Sequence, residues 1–284
     1  MGVAASDRDR AAVRPRGDGH PAGRAARSTA VVWHDLECGL YRVDLQLWRE
    51  LAEQARIESP PARVLDVGAG TGRVALDLSR AGHAVTALDL DAELLGALRE
   101  RATEADVQVE TVCADARSFT LDGQRFGLCV CPMQTIQLLG SSAARVAFFE
   151  RAREHLLPGA ALACAIVTEL EPFDCAEGDA GPSPEVARID GVEYVSRALS
   201  VQLSRGSIRI ERERSIFNED SPRVALQPGA VDAPETERDV IELDRVSARQ
   251  LQREGRRAGL PNAVIRSIPA TDDHVSSEVV ILRA

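Results

Sequence analysis

Arg63-Val64-Leu65-Asp66-Val67-Gly68-Ala69-Gly70-Thr71-Gly72 is the stretch that decides the fold. Arg63–Val67 is a short apolar run and reads as a buried strand. The three glycines that follow permit a tight turn and let backbone approach a ligand closely. Arg73–Arg80 then reads as a helix, ended by Gly82. In open α/β sheets, strand, glycine turn and helix in this order form a ligand cradle at the carboxyl ends of the strands. The next helix offers free N–H groups to an anion. A dinucleotide fingerprint needs glycine at position 73, where this chain has Arg73, so that fingerprint fails.

Outward from this stretch, strands and helices alternate. His83–Leu88 reads as a second strand, and Asp91–Ala102 as a helix with Asp91 as its N-cap. Gln108–Cys113 is a third strand, and Phe126–Cys131 a fourth, stopped by Pro132. Ala143–Leu157 is a helix ended by Pro158-Gly159, and Ala160–Val167 is a fifth strand. Upstream, Asp44–Ile57 carries Leu45, Leu47, Trp48, Leu51 and Ala55 at near-helical spacing, and Pro60 and Pro61 end it. Such alternation predicts a parallel sheet of right-handed βαβ units.

The rhythm breaks after Val167. Residues 171–187 read as a loop. Val192–Leu203 and Ser207–Phe217 alternate in polarity and read as an antiparallel pair joined near Arg205-Gly206. A polar loop, 218–236, leads to a short strand at Arg238–Leu243. Ser247–Ala258 is a helix closed by Gly259, and Ala263–Ile268 and Glu278–Arg283 are the last two strands. Residues 1–29 lack periodicity and read as a disordered tail.

Composition narrows the function. The chain has 284 residues, 44% of them apolar, enough for one large domain with a small extra module. Its 34 basic residues against 44 acidic give a net charge of −10, which disfavours a general nucleic-acid binder. Every basic residue is Arg, and without Lys there is no Walker lysine, Schiff base or pyridoxal anchor. No apolar run approaches the roughly 20 residues of a membrane span, and the start lacks an apolar signal core. A cytoplasmic protein without membrane partners is expected. None of the six cysteines forms a CxxC pair. Cys113, Cys129, Cys131 and Cys164 read as buried free thiols on strands, and no metal site is expected.

Asp66-Val67-Gly68-Ala69-Gly70-Thr71-Gly72 resembles motif I of the class I S-adenosylmethionine-dependent methyltransferases. Asp89 at the end of the second strand, Asp115-Ala116 after the third, and Leu157-Pro158-Gly159 before the fifth fall where that family has its later marks. The resemblance implies a Rossmann-like, seven-strand, mostly parallel α/β sheet with helices on both faces. It also implies an antiparallel last strand and, here, a small antiparallel insert after strand five. The implied divisions are a lid and helix at 30–62, a cofactor-binding core at 63–167, the insert at 188–245, and a closing helix and hairpin at 246–284.

It also implies S-adenosylmethionine as cofactor. The backbone of Gly68, Ala69, Gly70 and Gly72 would face its methionine end, and Asp66 would receive its amino group. Asp89 would accept the ribose hydroxyls and Leu90 would lie against the adenine. Asp115 and the Ala116 N–H would meet the adenine edge, Met133 would lie near the methyl, and Cys131 would also be among the cofactor-binding residues. A strand-end aspartate is also commonly only a helix cap.

After strand four, family members acting on planar amines carry Asp or Asn, then Pro-Pro-Tyr or similar. Here the segment is Cys131-Pro132-Met133-Gln134-Thr135-Ile136-Gln137. The resemblance therefore implies methyl transfer to a small-molecule acceptor rather than to nucleic acid. Gln134 and Gln137 are expected at the carboxyl edge. Gln134, His34 and Tyr41 are the catalytic candidates, the last two from an aromatic segment expected to fold over the cofactor. Trp33 and Tyr41 have packing as the competing role. His274 is expected at the sheet's other end or at an interface, and His155 on the surface. The insert either covers the acceptor pocket or builds a homodimer. Two rival functions remain: a protein of this fold that binds a ligand without methyl transfer, and a nicotinamide-dependent oxidoreductase, which Arg73 disfavours.

Overall fold

The computed structural model describes residues 28–218, 235–271 and 274–283. The expected tail at 1–29 and polar loop at 218–236 lie almost wholly outside them.

The alternation produces the expected elements. Strands β1 (Arg63–Val67), β2 (Ala84–Asp89), β3 (Val109–Cys113), β4 (Phe126–Cys131) and β5 (Leu156–Ile166) pair in parallel. β4 is buried along its whole length, as a strand covered on both faces must be. Helices α2 (Leu45–Glu58), α3 (Arg73–Arg80) and α4 (Ala92–Glu104) pack their apolar stripes on one face. On the other lie α5 (Ser142–His155) and α6 (Ala248–Arg257). Asp91 caps α4 as expected, accepting from the N–H groups of Glu93 and Leu94. β11 (Asn262–Ile268) and β12 (Ser277–Arg283) close the sheet, with β12 antiparallel to β5. The order is β11-β12-β5-β4-β1-β2-β3. The chain leaves β1 in opposite directions to β2 and β4, so the switch point lies above the glycine turn.

The insert is larger than the sequence predicts. Its antiparallel sheet runs β10 (Glu235–Asp244), β9 (Ser207–Phe217), β8 (Val192–Leu203), β6 (Phe173–Asp174), and β7 (Glu185–Ile189) also pairs with β8. β6 and the start of β7 fall in the stretch read as a loop. Both take their order from ladder bonds to β8, which no local pattern announces.

One helix was absent from the sequence reading. The aromatic segment before Tyr41 forms α1 (Thr29–Cys38), started by the Ser28 hydroxyl. Val31, Val32, Trp33 and Leu36 are buried, so much of the expected lid is packed structure. Two histidine and cysteine expectations also change. His155 is buried and stacks on Phe119, with ring centroids 5.2 Å apart. Cys113 is exposed, because β3 is the edge strand of the sheet.

The insert is fastened to the core by buried polar groups. Arg145 on α5 forks onto Glu254 of α6 (2.8 and 2.9 Å) and also pairs with Asp244 at the end of β10. Gln137 is fully buried. Its amide donates to the carbonyls of Val167 and Asp244 and accepts from the Val167 N–H. Gln137 therefore ties the carboxyl end of β5 to β10; it sits at the expected edge but is buried and does not line the cleft.

Candidate active site

The turn after β1 has left-handed backbone at Gly68 (φ +73°), Gly70 (+53°) and Gly72 (+94°), which only glycine adopts without strain. Space is equally restrictive. A β-carbon at Gly68 would come within 2.4 Å of the Thr135 side chain, and one at Gly70 within 2.3 Å of His34 Nε2. Arg73, which breaks the dinucleotide fingerprint, opens α3 as a buried fork. It donates to both oxygens of Asp44 (2.5 and 2.8 Å) and to the Tyr41 carbonyl.

The three aspartates read from the sequence line one cleft above the sheet. Asp66 is completely buried, and no donor reaches either of its oxygens with full hydrogen-bond geometry. Burial pushes its pKa up to about 7; the Arg73 charge and a weak contact with the Ala75 N–H offset only part of that. Asp89 accepts the Gly70 N–H (2.7 Å) and the Asp91 N–H (2.9 Å), so one carboxylate joins the glycine turn to the start of α4. Leu90 beside it is 70% exposed. Asp115 accepts the Arg117 side chain and backbone N–H, and this holds its carboxyl below the usual range.

Gly68, Ala69, Leu90, Ala116, Met133 and Gln134 also line the cleft. Met133 has left-handed backbone (φ +53°), uncommon for a non-glycine residue and typical of functional turns. Cys131 departs from its expected place: its side chain is buried in the core with Cys129 and Cys164, and does not line the cleft. Burial pushes the Cys129 and Cys131 thiols well up, so neither is a ready nucleophile.

Helix α1 contributes groups that the sequence reading partly missed. His34 lies over Gly70, with Nδ1 3.3 Å from the Thr71 hydroxyl. Its burial lowers the pKa and favours neutral imidazole. Thr71 donates to Asp35 (2.8 Å), and Arg101 pairs with the same carboxylate. The same helix grips the insert. Glu37 accepts the Arg214 fork at 2.8 Å twice and the Ser196 hydroxyl at 2.8 Å. Burial works against the Glu37 charge, but these bonds outweigh it and hold its pKa below the ordinary value. Trp33 meets Tyr194 edge-on at 5.4 Å. No local signal announces these contacts, because the partners lie more than 150 residues away in the chain. Glu37→Ala is expected to speed amide exchange in β8 and β9 by at least about tenfold, as loss of a charge-assisted fork predicts. Unchanged exchange there would mean that the ladders alone hold the insert.

Tyr41 packs edge-on against His274 (4.9 Å), under the Arg73 guanidinium (5.2 Å). Its burial raises the phenol pKa, so Tyr41 stays protonated. His274 is a correction: it lines the cleft and is not at the far end of the sheet. Because β12 runs against β5, its first residue lies at the carboxyl edge, and the loop before it does too. The cleft runs from the glycine turn to the inner face of the insert, with a volume of about 2270 Å³. Among the described residues no helix is long and apolar enough to cross a membrane.

Comparison with known proteins agrees with this geometry. Residues 64–159 match the family described as a methyltransferase domain. Over 56 residues the chain is 46% identical to the ubiquinone biosynthesis O-methyltransferase of Xanthomonas campestris pv. campestris. That match covers 20% of this chain and 23% of the relative. A protein of the same name from Coxiella burnetii is 32% identical over 68 residues, 24% of this chain and 29% of the relative. The chain thus matches less than a third of the length of these relatives.

Solved structures extend the likeness to nearly the whole fold. The sugar N-methyltransferase KedS8 of Streptoalloteichus superposes with a TM-score of 0.64 at 15% identity, covering 96% of this chain and 99% of that one. The amino pentose methyltransferase CalS10 of Micromonospora echinaspora gives 0.62 at 19% identity, covering 93% and 100%. At these identities the likeness is one of fold. Residues 64–159 are a methyltransferase domain, and the fold that carries them is that of the class I S-adenosylmethionine-dependent methyltransferases.

Proposed function

We propose that this chain transfers a methyl group from S-adenosylmethionine to a small-molecule acceptor held between the two sheets. The observation that carries this reading is the alignment of Asp66, the glycine turn, Asp89 and Asp115 along one cleft. Two features fit the cofactor: a buried carboxylate without a full partner, suited to an ammonium group, and a left-handed glycine turn whose Gly68 and Ala69 line the same cleft. When bound, the sulfonium supplies an activated methyl group for in-line displacement.

The protein's part is then to bind, orient and exclude water. Asp66 and the turn hold the amino-acid end, Asp89 the ribose, and Leu90, Asp115 and Ala116 the adenine. Gln134 and Met133 border the acceptor. His34, kept neutral by burial, is the candidate to take a proton from an acceptor that must lose one. The core at 63–167 serves the cofactor, and the insert, which begins at Phe173, serves the acceptor. The names of the relatives and neighbours, O-methyltransferases on one side and sugar N-methyltransferases on the other, support a small acceptor and leave its reacting atom open. A cytoplasmic location is part of the proposal, supported by the free cysteine thiols.

Calorimetric titration with S-adenosylmethionine and S-adenosylhomocysteine tests the proposal. Micromolar binding of both is expected; binding of neither to folded protein, or of NADH instead, overturns it. Asp66 adds a pH signature. Its folded pKa lies above the unfolded one, so the native state holds more protons between about pH 4 and 7 and stability falls as pH rises through that window. Affinity for the cofactor's ammonium group should rise over the same interval as the carboxylate ionises. Asp66→Asn should flatten both trends in thermal melts and titrations. Persistence of both in the variant would assign them to another group.

A further inference from the structure

The cleft of about 2270 Å³ is much larger than a single ligand site, which typically occupies about 300–1,000 Å³. Even a generous cofactor share leaves room for a second molecule of equal or greater size. Its far wall is the inner face of the insert. There Leu203, Ile210, Ile241, Phe173 and Leu170 are only half-buried, around a small core of Val167, Val201, Ile208 and Leu243.

Most arginines lining the cleft are paired, while the Asp66 carboxylate is not. Arg73 is held by Asp44, Arg117 by Asp115, Arg212 by Glu185 and Arg214 by Glu37. Arg245 is turned onto the Ser204 carbonyl at the rim. The chain has no lysine to add. A diphosphate or other strongly anionic group would compete with these carboxylates for Arg73, Arg117 and Arg214 and find only the Arg212 Nε and the carbonyl-bound Arg245 outside an ion pair, whereas an apolar body would cover surface that the chain leaves half open.

We propose that the acceptor is a neutral molecule with an extended apolar body, an aromatic or polycyclic scaffold larger than a monosaccharide, which lies on the Leu203–Ile210–Ile241 face. This rests on the methyltransferase reading for the word acceptor, but the site itself stands on the insert. A nucleotide-linked sugar is the competing ligand chemistry.

The test is equilibrium binding of N-phenyl-1-naphthylamine, a neutral apolar fluorophore, to full-length protein saturated with S-adenosylhomocysteine. A fluorescence rise at one site is expected, undiminished by further S-adenosylhomocysteine and by millimolar thymidine diphosphate. Ile210→Asn should weaken fluorophore binding at least tenfold and leave S-adenosylhomocysteine affinity within twofold. If that variant loses S-adenosylhomocysteine binding through misfolding, Leu203→Trp, which fills the space without adding polarity, should block the fluorophore instead. Absence of binding, displacement by either competitor, or wild-type fluorophore affinity in a folded variant overturns the proposal. Failure of wild-type protein to bind S-adenosylhomocysteine, with variant-sensitive fluorophore binding intact, would remove the methyltransferase reading and keep the apolar site.

Discussion

Arg145→Ala is expected to lower the unfolding free energy by about 3–5 kcal/mol, the usual cost of leaving buried charges unpaired. Arg145 is 2% exposed and Glu254 3%, so water cannot replace the lost fork. Burial opposes the Glu254 charge, yet the bonds from Arg145, Ser142 and Gln250 hold its pKa below normal. For Asp244 the balance tips the other way: desolvation raises its pKa despite Arg145. Removing the guanidinium leaves two carboxylates close together, one of them in the core. Denaturant unfolding measures the effect as a lower midpoint. The deficit should shrink on acidification. Glu254 stabilises the wild type above its unfolded pKa and loses that contribution as pH falls through its folded pKa. In the variant both acids take up protons more readily, which relieves the penalty. A loss below about 1 kcal/mol at pH 7 would show that water reaches this triad and that it contributes no more than a surface pair.

Asp89→Ala should weaken S-adenosylhomocysteine binding by about 1.5–3 kcal/mol, roughly 10- to 150-fold. The carboxylate has two tasks. It accepts the Gly70 and Asp91 amides, which sets the turn against α4, and it is the group assigned to the ribose hydroxyls. Asp89→Asn separates them, because its amide oxygen can still accept one backbone N–H while the charge is gone. An alanine variant with full affinity would remove the ribose assignment. An asparagine variant as weak as alanine would show that the charge matters more than the shape of the turn.

The glycine turn, the strands around it and the Asp91 cap were legible because their causes are local. Positive φ at Gly68, Gly70 and Gly72 is a property of those residues, and β4 is apolar along its own length. Asp66, Asp89 and Asp115 were legible for a related reason. Each lies within two residues of the carboxyl end of a strand of a parallel sheet, and parallel pairing brings those ends to one edge. The failures have non-local causes. Cys131 belongs to a strand buried on both faces, and only its packing against β5 decides that the thiol turns into the core. Gln137 resembles a polar residue at a helix start, but two bonds to Val167 past β5 and one to Asp244 of the insert bury it, and the last exists only once the insert has docked.

By itself, the sequence determined a parallel α/β core with a glycine cradle flanked by acids. Backbone sterics and apolar periodicity act within a few residues, and they suffice for that. Only the tertiary structure decided what surrounds the cradle. It set α1 between the turn and the insert, brought His274 to the cleft through the reversed β12, and opened a half-apolar chamber beneath β8, β9 and β10. Those arrangements depend on partners tens to hundreds of residues apart, whose pairing is fixed by burial and charge in the folded chain.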